Sequence, residues 1–153
     1  MIVHRIVSGG QTGVDRAALD AALARRLPVG GWCPQGRRAE DGVIDARYPL
    51  TETPLPTYAQ RTVWNVRDSD GTLVLCFDTL SPGTNLTIET VNAQGKALLT
   101  VDLMNTPEAA VVAAWIAENG IRVLNVAGPR ESEAPGIYRA ARAFLDAVFE
   151  QIG

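Results

Sequence analysis

A glycine-rich turn between an apolar run and a helical pattern limits what this chain can fold into. Residues 2–7 suit a buried strand, Ser8-Gly9-Gly10-Gln11-Thr12-Gly13 reads as a turn, and a helical pattern starts near Val14. Glycines let the backbone turn sharply and bring N–H groups close to an anion. A helix N-terminus adds unpaired donors and roughly half a positive charge. Strand, glycine turn and helix therefore predict a phosphate cradle, with Thr12 donating to the same oxygen or capping the helix. A tight strand-to-helix turn with no ligand accounts for the same residues. The turn is not a Walker A loop, because no Gly-Lys-Ser/Thr follows, and glycines at 9, 10 and 13 do not fit G-x-G-x-x-G.

Downstream, apolar strands keep alternating with helices. Thr72 to Phe77, Ala97 to Val101 and Ile121 to Val126 are near-continuous apolar runs. Such runs suit a parallel sheet covered on both faces. The first helix is expected from Val14 to about Arg26, with Ala18, Leu19, Ala22 and Leu23 on one side. Others are expected at Tyr58 to Ser69 and at about Asn85 to Ala93. The next should open at Thr106 as cap with Pro107 at its first position, and carry Ala110, Val111, Ala114 and Trp115. The last aligns Ile137, Ala141, Phe144, Leu145, Val148 and Ile152. The expected fold is α/β: a single-domain, Rossmann-like three-layer arrangement over residues 1–153 with an open, mostly parallel sheet.

Ligands of such sheets bind outside the carboxyl ends of the strands. The polar turns at 8–13, 78–84 and 127–136 each follow an apolar strand, so all three should open on that edge. Three such turns favour a ligand over three coincidental loops. Val29 to Trp32 reads as a short strand or turn, and 32–57 as an ordered functional loop anchored by Trp32, Val43, Ile44, Tyr48 and Leu50. On the Tyr58 helix, Arg61, Asn65 and Asp68 share a face, either solvated or turned to the ligand.

Composition excludes several partners. The 153 residues carry a net charge of −3, which argues against a broad nucleic-acid-binding face. No apolar run approaches about 18 residues, and the first five residues lack signal-peptide form, so a cytoplasmic protein without membrane partners is expected. Cys33 and Cys76 form no C-x-x-C, and Cys76 should be a buried reduced thiol. One histidine, His4 in the first strand, argues against a zinc site of the usual ligand types; no metal site is expected.

The turns also carry a resemblance. Ser8-Gly9-Gly10-Gln11-Thr12-Gly13-Val14-Asp15-Arg16, Trp32-Cys33-Pro34-Gln35-Gly36-Arg37-Arg38-Ala39-Glu40-Asp41-Gly42 and Asn125-Val126-Ala127-Gly128-Pro129-Arg130-Glu131-Ser132 resemble the molybdenum cofactor carrier family. So do Tyr48-Pro49-Leu50-Thr51-Glu52, Arg61, Asn65 and Ser69-Asp70-Gly71. That family is similar to the YpsA-like branch of the SLOG superfamily, in circularly permuted order. The resemblance implies a Rossmann-like sheet, a homo-oligomer (dimer or tetramer), and a phosphorylated nucleotide-like or pterin ligand, with molybdenum cofactor (molybdopterin) as the cofactor carried. The superfamily also includes phosphoribohydrolases with a Pro-Gly-Gly-x-Gly-Thr-x-x-Glu motif. Ser81-Pro82-Gly83-Thr84-Asn85-Leu86-Thr87 resembles its end, with Thr87 where the catalytic glutamate would stand. A hydroxyl binds phosphate but is no acid or base near neutral pH.

The reading this favours is a non-catalytic carrier. Its expected ligand set is Gly9, Gly10, Gln11, Thr12, Gly13, Asp15, Arg37, Arg61, Asn65, Gly83, Thr84, Thr87, Gly128, Pro129, Arg130, Glu131 and Ser132. Backbone N–H groups and the hydroxyls of Thr12, Thr84 and Ser132 would hold phosphate, with charge-assisted bonds from Arg37 and Arg130. Asp15 would orient Arg16 or a ligand hydroxyl, and Arg38 would face solvent. The alternative is a nucleotide-processing hydrolase using Glu40, Asp41 or Glu131 as base. A sensor domain acting through a partner is a third reading, lowered by the lack of an appended effector domain.

Overall fold

The computed structural model describes residues 3–78 and 80–152. Ile2, in the expected first strand, and Thr79, in the 78–84 turn, lie outside the described residues. In chain order the elements are β1 (Arg5–Val7), α1 (Val14–Ala24), β2 (Val29–Gly30), β3 (Trp32–Cys33), β4 (Arg38–Ala39), β5 (Gly42–Val43), β6 (Thr51–Glu52), α2 (Tyr58–Arg67), β7 (Gly71–Cys76), α3 (Pro82–Gln94), β8 (Ala97–Asp102), α4 (Ala109–Glu118), β9 (Val123–Ala127) and α5 (Ile137–Ile152).

Five strands form one parallel sheet in the order β2-β1-β9-β7-β8. Ile6 of β1 lies beside Val29 and Leu124; Leu73 of β7 lies beside Leu99 and Val126. β7 is buried along its whole length, as its unbroken apolar run requires. Side chains alternate across a strand, so β7 supplies two cores. Leu73 and Leu75 join Ile6, Leu124 and Val126 against α1, α4 and α5. Thr72, Val74 and Cys76 therefore turn to the opposite face, where α2 and α3 pack together. The result is the expected Rossmann-like, three-layer α/β architecture. Cys33 and Cys76 are buried free thiols, with burial pushing both pKa values up.

Several boundaries and faces differ from expectation for identifiable reasons. α3 begins at Pro82 rather than Asn85, because Ser81 caps it by accepting from the Thr84 N–H, with Pro82 in the first turn. α4 begins at Ala109 instead of after a Thr106 cap, since Thr106 has φ 42° and Glu108 holds the cap position. Its buried residues are Val112 and Ile116; Ala110, Val111 and Ala114 are exposed. Leu23 of α1 is likewise exposed, while Ala18, Leu19 and Ala22 are buried.

The 32–57 segment is ordered by its own small core. β3 pairs in parallel with β6, β4 and β5 form an antiparallel hairpin, and Leu19, Cys33, Ala39, Ile44, Tyr48 and Leu50 pack together. Val43 is no anchor, being 78% exposed at the hairpin. The Tyr48 hydroxyl donates to Asp20 at 2.5 Å, tying this segment to α1; burial is the main cause that raises its pKa to about 12.

Candidate functional site

At the carboxyl ends of β1, β7 and β9, on the side of α2 and α3, lies a cavity of about 390 Å³. That is within the size range of small-molecule sites. All three polar turns reach it: Gly9 and Gln11 from the first, Ser81, Pro82, Gly83 and Thr84 from the second, and Gly128, Arg130 and Glu133 from the third. α2 adds Tyr58, Arg61, Thr62 and Asn65, and β9 adds Asn125.

The wall is built around Arg61. Its guanidinium donates to the Gly9 carbonyl at 3.0 Å and to Thr62 at 3.2 Å, and lies 3.6 Å from the Asp15 carboxylate. Gly9 permits this approach: a Cβ there would meet Arg61 Nη1 at 2.4 Å. Among the described residues Arg61 Nη2 has no hydrogen-bond partner. Asp15 is buried and accepts from the Gln11 N–H at 3.3 Å. Burial is the largest influence on its carboxyl and raises its pKa, against the lowering pull of Arg61. Asp15 thus orients Arg61 rather than Arg16. Arg130 makes a second ion pair, with Nε 2.6 Å from Glu133 and 3.9 Å from Glu40.

Other polar groups on the wall divide into occupied and available. Both atoms of the Asn65 amide are taken by the Trp32 backbone, at 2.8 and 2.9 Å. The Thr87 hydroxyl donates to the Gly83 carbonyl of its own helix at 3.2 Å. Gln11 accepts through Oε1 from the N–H groups of Thr12 and Glu40, while its amide nitrogen has no partner among the described residues. Asn125 donates to Thr72, leaving its oxygen for the cavity. Gly83, in the first turn of α3, faces open space.

The remaining expected residues stand elsewhere. Gly10 backs onto Leu50 and Ile44, not the cavity. Gly13, with φ 78°, caps α1, and a Cβ there would meet the Pro129 carbonyl at 2.4 Å. That carbonyl accepts the first α1 N–H at 3.2 Å, so the α1 N-terminus is covered by the third turn. Thr12 does not cap α1; its hydroxyl donates to Glu40 and accepts from the Glu131 N–H. Ser132 gives Glu40 its N–H and its hydroxyl. Arg37, at φ 54°, donates to the carbonyls of Ile44, Asp45, Tyr48 and Leu50 and so holds the 32–57 segment. Arg38 is exposed. Asp68, whose shared face with Arg61 and Asn65 could be solvated or turned to the ligand, accepts from the Trp32 indole and Arg67.

The three carboxylates considered as bases are also engaged. Asp41 pairs with Arg16, whose hydrogen bond chiefly lowers its pKa. Glu131 accepts from the N–H groups of Gly136 and Tyr138 at the start of α5. Burial tends to raise the Glu40 pKa, but hydrogen bonds from Ser132 and Thr12 outweigh it and the net shift is downward. Among the described residues no group of three or more His, Cys, Asp or Glu could hold a metal ion, and no helix is long and apolar enough to cross a membrane.

Tyr58, Ser81, Asn125 and Glu133 were not anticipated. Tyr58 lies one turn before Arg61, which stacks 5.4 Å over its ring. Ser81 carries the Ser-Pro signature of a capped helix start, and Asn125 is the polar interruption in the apolar β9 run. Glu133 follows Arg130 by one turn, a spacing that favours ion pairing.

Comparison with known proteins bears on this geometry. A solved structure from Syntrophus aciditrophicus SB, provisionally named as a molybdenum carrier protein, is 41% identical, with a TM-score of 0.91 over 96% of this chain and 95% of that one. No curated protein matches. The model of the circularly permuted YpsA SLOG family matches residues 6–149, and the chain belongs to that family.

Proposed function

We propose that this protein binds and carries a phosphorylated nucleotide-like or pterin ligand, with molybdenum cofactor as the favoured cargo. The observation that carries the reading is the pairing of two guanidinium groups, Arg61 and Arg130, with the open first turn of α3 around one cavity. Arginine on phosphate makes strong charge-assisted bonds, and a helix N-terminus complements them. Gln11 and Asn125 offer a donor and an acceptor for a heterocycle edge, and Tyr58 a flat face beside it. The name of the Syntrophus protein favours molybdenum cofactor within this class.

The hydrolase alternative is the weaker one. Glycosidic cleavage needs a positioned acid or base. Thr87 stands on the wall with its hydroxyl bonded to Gly83, and Glu40, Asp41 and Glu131 are outside the lining and held by other partners. Asp15 and Glu133 do reach the cavity, each against an arginine.

Mass spectrometry of small molecules released from gently purified protein tests the carrier reading. A molybdopterin-like or nucleotide compound in stoichiometric amount is expected. Incubation with nucleoside monophosphates, following free base by chromatography, should show no turnover. Release of base at about 1 per second or faster, lost on replacing Asp15 or Glu133 by its amide, overturns it.

A further inference from the structure

The Glu40 carboxylate occupies a place built like an oxyanion site. Oε2 accepts from the Thr12 hydroxyl and from the Ser132 N–H at 3.2 Å. Oε1 accepts from the Ser132 hydroxyl and lies 3.9 Å from Arg130 Nε. Two hydroxyls, a backbone N–H and a guanidinium, contributed by two different polar turns, converge on one anion. Three donors and a guanidinium charge 3.9 Å away suit the several oxygens of a tetrahedral oxyanion at least as well as the two of a carboxylate, and the buried Arg130 Nε makes no hydrogen bond of its own among the described residues.

The element that delivers Glu40 is weakly held. β4 and β5 have two residues each, and of their four residues only Ala39 is buried. Beyond Glu40 itself, the tip is tethered by the Gln11 side chain accepting from the Glu40 N–H at 2.8 Å and by the two-pronged pair of Asp41 with Arg16 at 3.0 and 3.2 Å. So small a hairpin is marginal by itself, and the Asp41 end of its ion pair is half exposed to screening solvent. The third turn continues directly into the cavity, because Arg130 lines both places.

We propose that Thr12, Ser132 and Arg130 form an oxyanion subsite next to the cavity, with Glu40 as its internal occupant. The 38–43 hairpin is then a strap that a phosphate-class ligand displaces. The inference rests on the reading of the ligand as phosphorylated. It adds that loading requires exchange of one anion for another and that the strap reports occupancy.

The test is calorimetric titration of the full chain with inorganic phosphate. Glu40→Gln keeps the side-chain shape and removes the competing charge, so phosphate affinity should rise at least about tenfold. Asp41→Asn leaves every donor in place and loosens only the strap, and should give a smaller gain in the same direction. Adding Ser132→Ala to Glu40→Gln should cancel most of the gain. Phosphate affinity equal to or below wild type in Glu40→Gln overturns the proposal; if that variant does not fold, absence of a gain in Asp41→Asn overturns it. Arg61→Met, titrated in parallel, separates the two readings. Loss of phosphate binding there, without a gain in Glu40→Gln, refutes the subsite and leaves the cavity reading. A gain in Glu40→Gln, with Arg61→Met equal to wild type, does the reverse.

Discussion

Replacing Arg61 by methionine should damage stability and ligand binding in separable ways. Methionine keeps the aliphatic stem but removes the charge opposite Asp15, 3.6 Å away, and the donor to the Gly9 carbonyl. Both partners of the pair are about nine-tenths buried. Breaking such a pair costs about 3–5 kcal/mol, since it strands a buried charge. The separation favours the lower end, about 3 kcal/mol at pH 7. The sign with pH follows from Asp15, whose folded pKa is raised by burial. A raised carboxyl costs nothing below its unfolded pKa and destabilises as pH rises through the folded value. Without Arg61 that rise grows, so the deficit of the variant should be full at pH 7 and shrink towards pH 4. Glu40 and Asp41 titrate in wild type and variant alike and cancel in the difference. Urea unfolding at a series of pH values gives the curve, and adding Asp15→Asn should recover most of the loss. Ligand affinity should stay about 10–100-fold down in the double variant, because one charge-assisted bond is gone. A deficit that does not change with pH, or no rescue by Asp15→Asn, refutes this account of the pair.

Gly10→Val should cost about 3 kcal/mol or more in thermal or urea unfolding, since it combines φ 78° with a Cβ 2.6 Å from Leu50 and 2.9 Å from Ile44; phosphate affinity of the folded fraction should be near wild type, because Gly10 is not on the cavity wall. Glu40 and Asp41 both have lowered folded pKa values, so their contribution is present above their ordinary values of 4.5 and 3.8 and is lost as pH falls through the folded ones. Glu40→Gln with Asp41→Asn should therefore flatten the acid limb of stability, read as urea midpoint against pH. Sedimentation should show a dimer or tetramer in the micromolar range, and a monomer throughout counts against the oligomer expected from the family resemblance.

Much of the architecture was legible because it follows from local patterns. An unbroken apolar run such as 71–76 fits only a strand covered on both faces, and the order of strands and helices leaves few topologies. That the three polar turns meet follows from parallel strands placing all their carboxyl ends on one edge. What each polar side chain does there was not legible, because hydrogen-bond partners are chosen across long separations. Thr12 and Glu40 are 28 residues apart, and Ser132 and Glu40 are 92 apart. No spacing rule connects them. The work of Arg37 is hidden in the same way: its guanidinium donates to the carbonyls of Ile44, Asp45, Tyr48 and Leu50, which no motif spacing marks as its partners. The α4 face failed differently. With seven of its ten residues alanine or valine, the helix is apolar nearly all round, and period alone cannot choose its buried side.

The double hydrogen bond between Asn65 and the backbone of Trp32 has a mechanical consequence. A primary amide presents the same donor and acceptor pair as a peptide unit, so Asn65 acts as a one-residue neighbouring strand. It docks β3 onto a helix where no strand is available. β3 carries β6, and that pairing closes the segment that ends in Tyr58 and α2 itself. Helix, mini-sheet and the chain between them thereby form a closed loop of linkages. Any shift of Arg61 at the cavity is then geared to Trp32 on the outer surface, whose indole stands edge-on to Trp64 with ring centroids 4.8 Å apart. The fluorescence of that tryptophan pair should therefore change when the cavity wall moves.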